Sequence, residues 1–259
     1  MPMRRSVASV AFGLVLLPGL ALAGSLSIYP IRVTLDPGVK TASVKVVNGA
    51  GEKVALQVEA MAWSQDAEGK DRYEATSDLA FQPKILTLDA KESRVVRLGF
   101  HGAWPAREQS YRLYLRELPR AHADQPGLQI SLRLGVPVFV VPSKKSVKSE
   151  ARIDSVEMVS GQVVAQVRNV GGAHLVVDKL AARGLDEAGR ELWSKPARSW
   201  YVLPGALRSF TAETTPAECL QATKVEVTAT VGGTAVVASA MVDRARCGSS
   251  QGPPHTAKP

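Results

Sequence analysis

Histidine and cysteine, the residues that most often carry catalysis or hold a metal, are nearly missing. Four histidines (His101, His122, His174, His255) and two cysteines (Cys219, Cys247) are spread over 259 residues. No H-x-x-x-H or C-x-x-C spacing occurs, no G-x-S-x-G elbow, and no glycine-rich phosphate loop. These absences argue against an enzyme and leave no residue set for a cofactor or a metal. Each histidine reads as a surface or hydrogen-bonded side chain. Asp66, Glu68 and Asp71 gather around Gly69 in "SQDAEGKDRYE", but the ligand order of a calcium loop is missing and Lys70 and Arg72 intrude, so the stretch reads as a polar hairpin tip. Aromatics make up only 5% of the chain. Trp63, Trp104, Trp193 and Trp200 are dispersed, which weakens the alternative of an exported adhesin-like or carbohydrate-binding module built on clustered rings. The net charge is +8, which suits acidic partners or simple solubility. No Lys/Arg stripe is interleaved with aromatics, so nucleic acid is not an expected partner. "KKSVK" (144–148) reads as a solvated linker. No amphipathic helix of useful length is found.

The N-terminus supplies a positive start (Arg4, Arg5), an apolar run from Val7 to Leu20, and the small-residue site Ala21-Leu22-Ala23. These are the three parts of a secretory signal peptide, residues 1–23. Pro18 interrupts the run, which is short for a membrane anchor. Cleavage leaves about 236 residues, room for one large or two ordinary domains. An exported chain with an even cysteine count usually pairs them. A Cys219–Cys247 bridge would close about 30 residues and contribute about 3 kcal/mol in the chain-entropy model.

The rest of the chain reads as short strands. "ASVKVVN", "VALQVEAMAW", "SRVVRLGF" and "YRLYLREL" are alternating or apolar runs punctuated by Gly, Pro, Asn and Asp. "SLSIYPIRVTL" is extended, with Pro30 confining it to an edge or a bulge. After the polar stretch Pro142–Arg152 the pattern restarts with "RIDSVEMVSG", "QVVAQVRNVGG", "HLVVDKLAARGLD", "RSWYVLPGALRSF", "KVEVTATVGG" and "TAVVASAMV". An all-β chain of two sandwiches follows, 24–142 and 143–248, joined by a short linker, with a Val/Ala-rich second core. Residues 249–259 have the composition of a disordered tail. One feature is anomalous. "GLQISLRLGVPVFVVP" (127–142) reads as a single strand more than twice the usual length. Leu128, Ile130, Leu132, Leu134, Val136 and Val138 fall on one face. An exposed apolar strand of that length invites association.

"IYPIRVTLDPG", "YRLYLRELP" and "LQISLRLGVPVFVVP", in that order, resemble the PapD-like periplasmic chaperones of the chaperone–usher pathway. The wording "RLGVPVFV" is similar to the archaic branch that serves spore-coat-U-like pilus subunits. The resemblance implies two immunoglobulin-like sandwiches forming a cleft, a non-enzymatic role in the periplasm, and two partners, a pilus subunit and an outer-membrane usher. It also leaves room for self-association of the free protein, which would mask the donor strand. In this family a long strand lends alternate side chains to a subunit that lacks its last strand. Here the donors would be Leu128, Ile130, Leu132 and Leu134, while Val136–Val140 would belong to the chaperone's own core. The family also holds the subunit's C-terminal carboxylate on basic residues in the cleft. Arg32 falls at the first of these. Pro137 stands where a lysine is usual, which makes Arg112, on the neighbouring strand, the candidate for the second; Arg116 and Arg133 are weaker candidates. Val141 stands where the family has an arginine of its inter-domain ion pair.

Overall fold

The computed structural model describes residues 26–119, 131–142 and 147–248. The expected signal peptide, Leu128, Ile130 and the tail 249–259 lie outside the described residues. The first sandwich contains β1 (Leu26–Tyr29), β2 (Val33–Leu35), β3 (Thr41–Asn48), β4 (Val54–Gln65), β5 (Asp71–Ala75), β6 (Leu79–Gln82), β7 (Ile85–Leu88), β8 (Ser93–Phe100), β9 (Gln109–Glu117) and β10 (Arg133–Val140). One sheet runs β1-β3-β8-β6 and the other β2-β10-β9-β4-β5, with β7 also on β4. The first extended segment changes sheets at Pro30. β1 pairs antiparallel with β3, and β2 runs parallel beside β10. Pro30 therefore lies between strands, where its missing N–H disturbs no ladder. Alternation puts Val44, Val46, Leu56, Leu113, Val138 and Val140 into one core between the sheets.

The second sandwich contains β11 (Ala151–Val159), β12 (Gln162–Asn169), β13 (Leu175–Val176), β14 (Lys179–Leu185), β15 (Glu191–Ala197), β16 (Tyr201–Val202), β17 (Leu207–Glu213), α1 (Pro216–Gln221), β18 (Lys224–Val231) and β19 (Thr234–Met241). Its sheets are β11-β12-β17 and β15-β14-β18-β19, with the small pair β13-β16. Two runs that read as continuous in sequence are split, and "HLVVDKLAARGLD" divides into β13 and β14. "RSWYVLPGALRSF" breaks into β16 and β17 because Pro204 has no N–H and Gly205 adopts φ +78°. The core is built of small side chains such as Val163, Ala165, Ala182, Val227 and Ala229. α1 is short but well signalled. Thr215 and Glu218 form a reciprocal capping box with Pro216 in the first turn. The helix carries Cys219, which is bonded to Cys247 with a Cα–Cα separation of 5.5 Å.

Of the apolar stripe 127–142, residues 131–142 lie within the described part of the chain. β10 begins at Arg133, although the Glu117 N–H still donates to the Leu132 carbonyl at 2.8 Å.

Candidate functional site

β10 has one fully paired edge and one largely open edge. On one side it pairs with β9 from Arg133 to Val140; on the other, β2 covers only Val138–Val140. Among the described residues, the stretch 131–137 therefore has no strand on its outer edge. Along this stretch exposure rises towards the N-terminal end. Val136 and Val138 are buried, Leu134 is half-buried, and Leu132 is 38% exposed. An open main-chain edge with a graded apolar stripe is suited to accepting another strand.

The outer face of the same sheet points to the second sandwich. Directly paired residues share a face, so Pro137, Arg112 and Met61 form one row, and Gly135, Tyr114 and Glu59 the next. The ladder of β2 with β10 begins at Val33 and Val138, so Arg32 lies just ahead of it, while Arg112 pairs directly with Pro137. Their surroundings differ. Arg32 is exposed and lines an open cavity of about 400 Å³ with His174 and Asp178 of the second sandwich. It makes no hydrogen bond or ion pair among the described residues.

Arg112 is not the solvated surface charge that its residue type suggests. It is 9% exposed, and its Nε has no hydrogen-bond partner. Its guanidinium lies 4.2 Å from the Trp63 ring centre, 5.4 Å from Trp200 and 6.0 Å from Tyr73. Burial, and then a hydrogen bond with Tyr114, pushes the Tyr73 hydroxyl well above its ordinary range, so it offers Arg112 no anionic partner. A buried cation without an anion is costly, and aromatic faces offset only part of that cost. This arrangement is chemically ready for a carboxylate. Arg116 and Arg133, in contrast, already share Glu59 at 3.7 and 4.0 Å, and Arg133 sits 3.7 Å over the Tyr114 ring.

Several residues of this cleft could not be found from the sequence. The tip Asp66–Lys70 is more than a polar hairpin tip: the Arg208 guanidinium donates to the Gly69 carbonyl at 2.8 Å. Next to it, Asp71 accepts from Trp63 Nε1 (3.0 Å), Gln65 Nε2 (2.9 Å), Trp200 Nε1 (2.9 Å) and, more weakly, Arg208 (3.4 Å). Trp63 and Trp200 thus converge on one carboxylate although 137 positions separate them, and no local signal could show that. His174 is the second inter-domain tie. Its backbone N–H donates to Glu108 Oε1 at 2.7 Å, its Nδ1 lies 2.9 Å from both carboxylate oxygens, and its ring stacks on Phe139 of β10 at 3.5 Å. With Val141 buried as an apolar residue, the polar joint between the sandwiches runs through Gln65, Asp71 and Glu108. Trp63 and Trp193 are buried, so the described residues present no exposed aromatic platform of the adhesin type. They also hold no cluster of three or more metal-ligating side chains, and no helix long and apolar enough to cross a membrane.

A family model described as "pili and flagellar-assembly chaperone, PapD N-terminal domain" matches residues 25–146. No curated protein matches the sequence. Solved structures are similar over both sandwiches. The CsuC–CsuE chaperone–tip adhesion subunit complex from archaic chaperone–usher Csu pili of Acinetobacter baumannii matches with a TM-score of 0.57 and 22% identity, covering 83% of this chain and 97% of that one. The CupB2 chaperone of Pseudomonas aeruginosa gives 0.51 and 17%, covering 84% and 100%. The Salmonella enterica SafA pilin–SafB chaperone complex gives 0.52 and 15%, covering 84% and 96%. The structural likeness establishes the two-sandwich fold, and residues 25–146, the domain that carries β10 and both cleft arginines, belong to the family of PapD N-terminal domains of pilus-assembly chaperones.

Proposed function

We propose that this protein is a periplasmic chaperone of the archaic type, exported by a cleaved leader of residues 1–23, with domain limits 24–142 and 143–248. It holds a spore-coat-U-like pilus subunit by donor-strand complementation and hands it to an outer-membrane usher. It performs no chemistry of its own. The observation that carries the reading is the open edge of β10 at 131–137, beside a stripe whose apolar side chains become progressively more exposed. Main-chain groups on that edge pair with the subunit, and Leu128, Ile130, Leu132 and Leu134 enter its groove. Each such side chain contributes about 1.5–3 kcal/mol when fully buried, less the cost of ordering both partners. Arg32 and Arg112 receive the subunit's C-terminal carboxylate. That contact sets register, because a slip of one residue would turn every donor side chain away from the groove.

The test is capture of a co-expressed spore-coat-U-like subunit. Ile130→Asp and Leu132→Asp should abolish co-purification while circular dichroism stays that of the parent; capture by both variants would remove the donor-strand reading. Arg32→Ala should weaken capture of the native subunit more than that of a subunit with an amidated C-terminus. Arg32→Lys should be only partly tolerated, since an ammonium keeps the charge but loses the planar fork.

A further inference from the structure

Resting on the carboxylate reading of Arg112, we infer that Trp200 of the second domain, held by Asp71, is the residue that positions this arginine for the subunit's C-terminus. Three observations lead there. First, the guanidinium is walled by rings from both domains, Trp63 and Tyr73 from the first and Trp200 from the second. Second, both indole N–H groups donate to the same carboxylate, Trp63 to Asp71 Oδ1 at 3.0 Å and Trp200 to Oδ2 at 2.9 Å. Asp71 therefore fixes the angle between two rings whose faces bound Arg112. Third, the guanidinium lies against the main chain of β10, beside the Tyr114 ring. A Cβ added at Gly135, on β10, would lie 3.4 Å from Arg112 Nη1 and 2.8 Å from the Tyr114 ring. Nη1 thus reaches over the main chain of the donor strand at the residue that has no side chain, two positions before Pro137.

The physical consequence is a link between domain geometry and ligand capture. A carboxylate gains paired, charge-assisted hydrogen bonds only from a correctly oriented fork, and the side chains packed on a buried guanidinium set that orientation. Trp200 supplies the clamp from the far side of the cleft. It is also the accessible wall, 36% exposed, with an open cavity of about 1010 Å³ on its outer side where Lys195, Arg198 and Arg208 gather. Because the clamp belongs to the second domain, carboxylate binding tightens the joint between the domains, and by reciprocity a loosened joint weakens carboxylate binding.

The experiment measures the affinity of the co-expressed spore-coat-U-like subunit with a native and with an amidated C-terminus, and takes the ratio. The parent should favour the native form. Trp200→Ala should lower that preference about tenfold, towards a ratio of one, the size of effect expected on losing a desolvated cation–π wall. Trp200→Phe, which keeps a ring but loses the N–H to Asp71, should fall between. A Trp200→Ala ratio equal to the parent's overturns the inference, as does an equal loss for both subunit forms, which would make Trp200 a part of the domain joint alone. Should Trp200→Ala fail to fold, an undiminished ratio in Trp200→Phe overturns it. A parent that shows no preference removes the carboxylate reading of Arg112 itself, a result distinct from either failure of Trp200.

Discussion

The two domains carry the same hairpin turn and use it differently. In the first, Asp66-Ala67-Glu68-Gly69-Lys70 closes β4 onto β5; in the second, Asp186-Glu187-Ala188-Gly189-Arg190 closes β14 onto β15. In both, the Asp N–H donates to the fifth residue's carbonyl, the Gly N–H returns to the Asp carbonyl, and the fifth residue's N–H donates to the Asp carboxylate. Both glycines sit at positive φ, +75° and +77°. Yet a Cβ at Gly189 would meet nothing, whereas one at Gly69 would collide with the Leu207 carbonyl and lie 2.7 Å from Arg208 Cα. A buried asparagine is repeated in the same way. Asn48 ends β3 and Asn169 ends β12. Each accepts from the N–H two residues on (Ala50, Gly171) and donates to the carbonyl four residues on (Glu52, Ala173). Local chemistry was duplicated; the inter-domain joint was built on only one copy of it.

The comparison breaks most strongly at the disulfide, which only the second domain possesses. Its loss through Cys219→Ser with Cys247→Ser should destabilise that domain by about 3 kcal/mol, seen in calorimetry as a lowered second transition with subunit capture retained. Simultaneous melting of the first domain would mean that the joint couples the two more tightly than their separate cores suggest. Next in size is the asparagine pair. Asn169→Ala leaves the Val202 and Ala173 carbonyls and the Gly171 N–H without their partner, a loss of about 2 kcal/mol. Asn48→Ala should cost the first domain a similar amount, read by denaturant unfolding of each variant.

The glycines give the sharpest contrast at smaller energy. Gly189→Ala should cost about 1 kcal/mol, the strain of a left-handed position, with no effect on capture. Gly69→Ala carries the same strain and also pushes the tip off the second domain. It should lower the native-to-amidated preference in subunit binding as well as stability. Equal behaviour of the two variants would show that tip docking is incidental. The smallest effect is acid sensitivity. The backbone N–H of Lys70 holds the Asp66 carboxyl below its ordinary value, and the N–H of Arg190 does the same for Asp186, with a neighbouring arginine adding to each. A carboxyl with a depressed folded value stabilises the fold above the usual aspartate range and loses that contribution as the pH falls through the folded value. Asp66→Asn and Asp186→Asn should therefore flatten the stability curve below about pH 4 by similar small amounts, while only the first should loosen the domain joint.

Much of the site could be read in the linear chain. The alternation in "LQISLRLGVPVFV" marks the apolar stripe that leads into β10, "YPIRV" places Arg32 just ahead of β2, and "YRLYL" places Arg112 on β9. The restart after Pro142 marks a second sandwich, and "TTPAECLQ" contains a capping box that identifies a helix too short for a hydrophobic pattern to reveal. The burial of Arg112 could not be read there, because the burial of a residue on a two-faced strand depends on what covers the outer face, and here part of the cover comes from the second domain.

The sequence by itself determined the strands, the turns and the apolar faces, because period-two alternation, φ-restricted residues and side chain-to-backbone hydrogen bonds act within a few positions of one another. It also marked the apolar face of the segment that becomes β10. Only the tertiary structure decided that Asp71 gathers Trp63 and Trp200, that His174 bonds Glu108 and stacks on Phe139, and that Arg112 ends up buried and ringed, with its Nε unpartnered among the described residues. Those contacts join positions far apart in the chain. They form because two separately folded sandwiches press their outer faces together, and no property of either segment alone sets the geometry at which they meet.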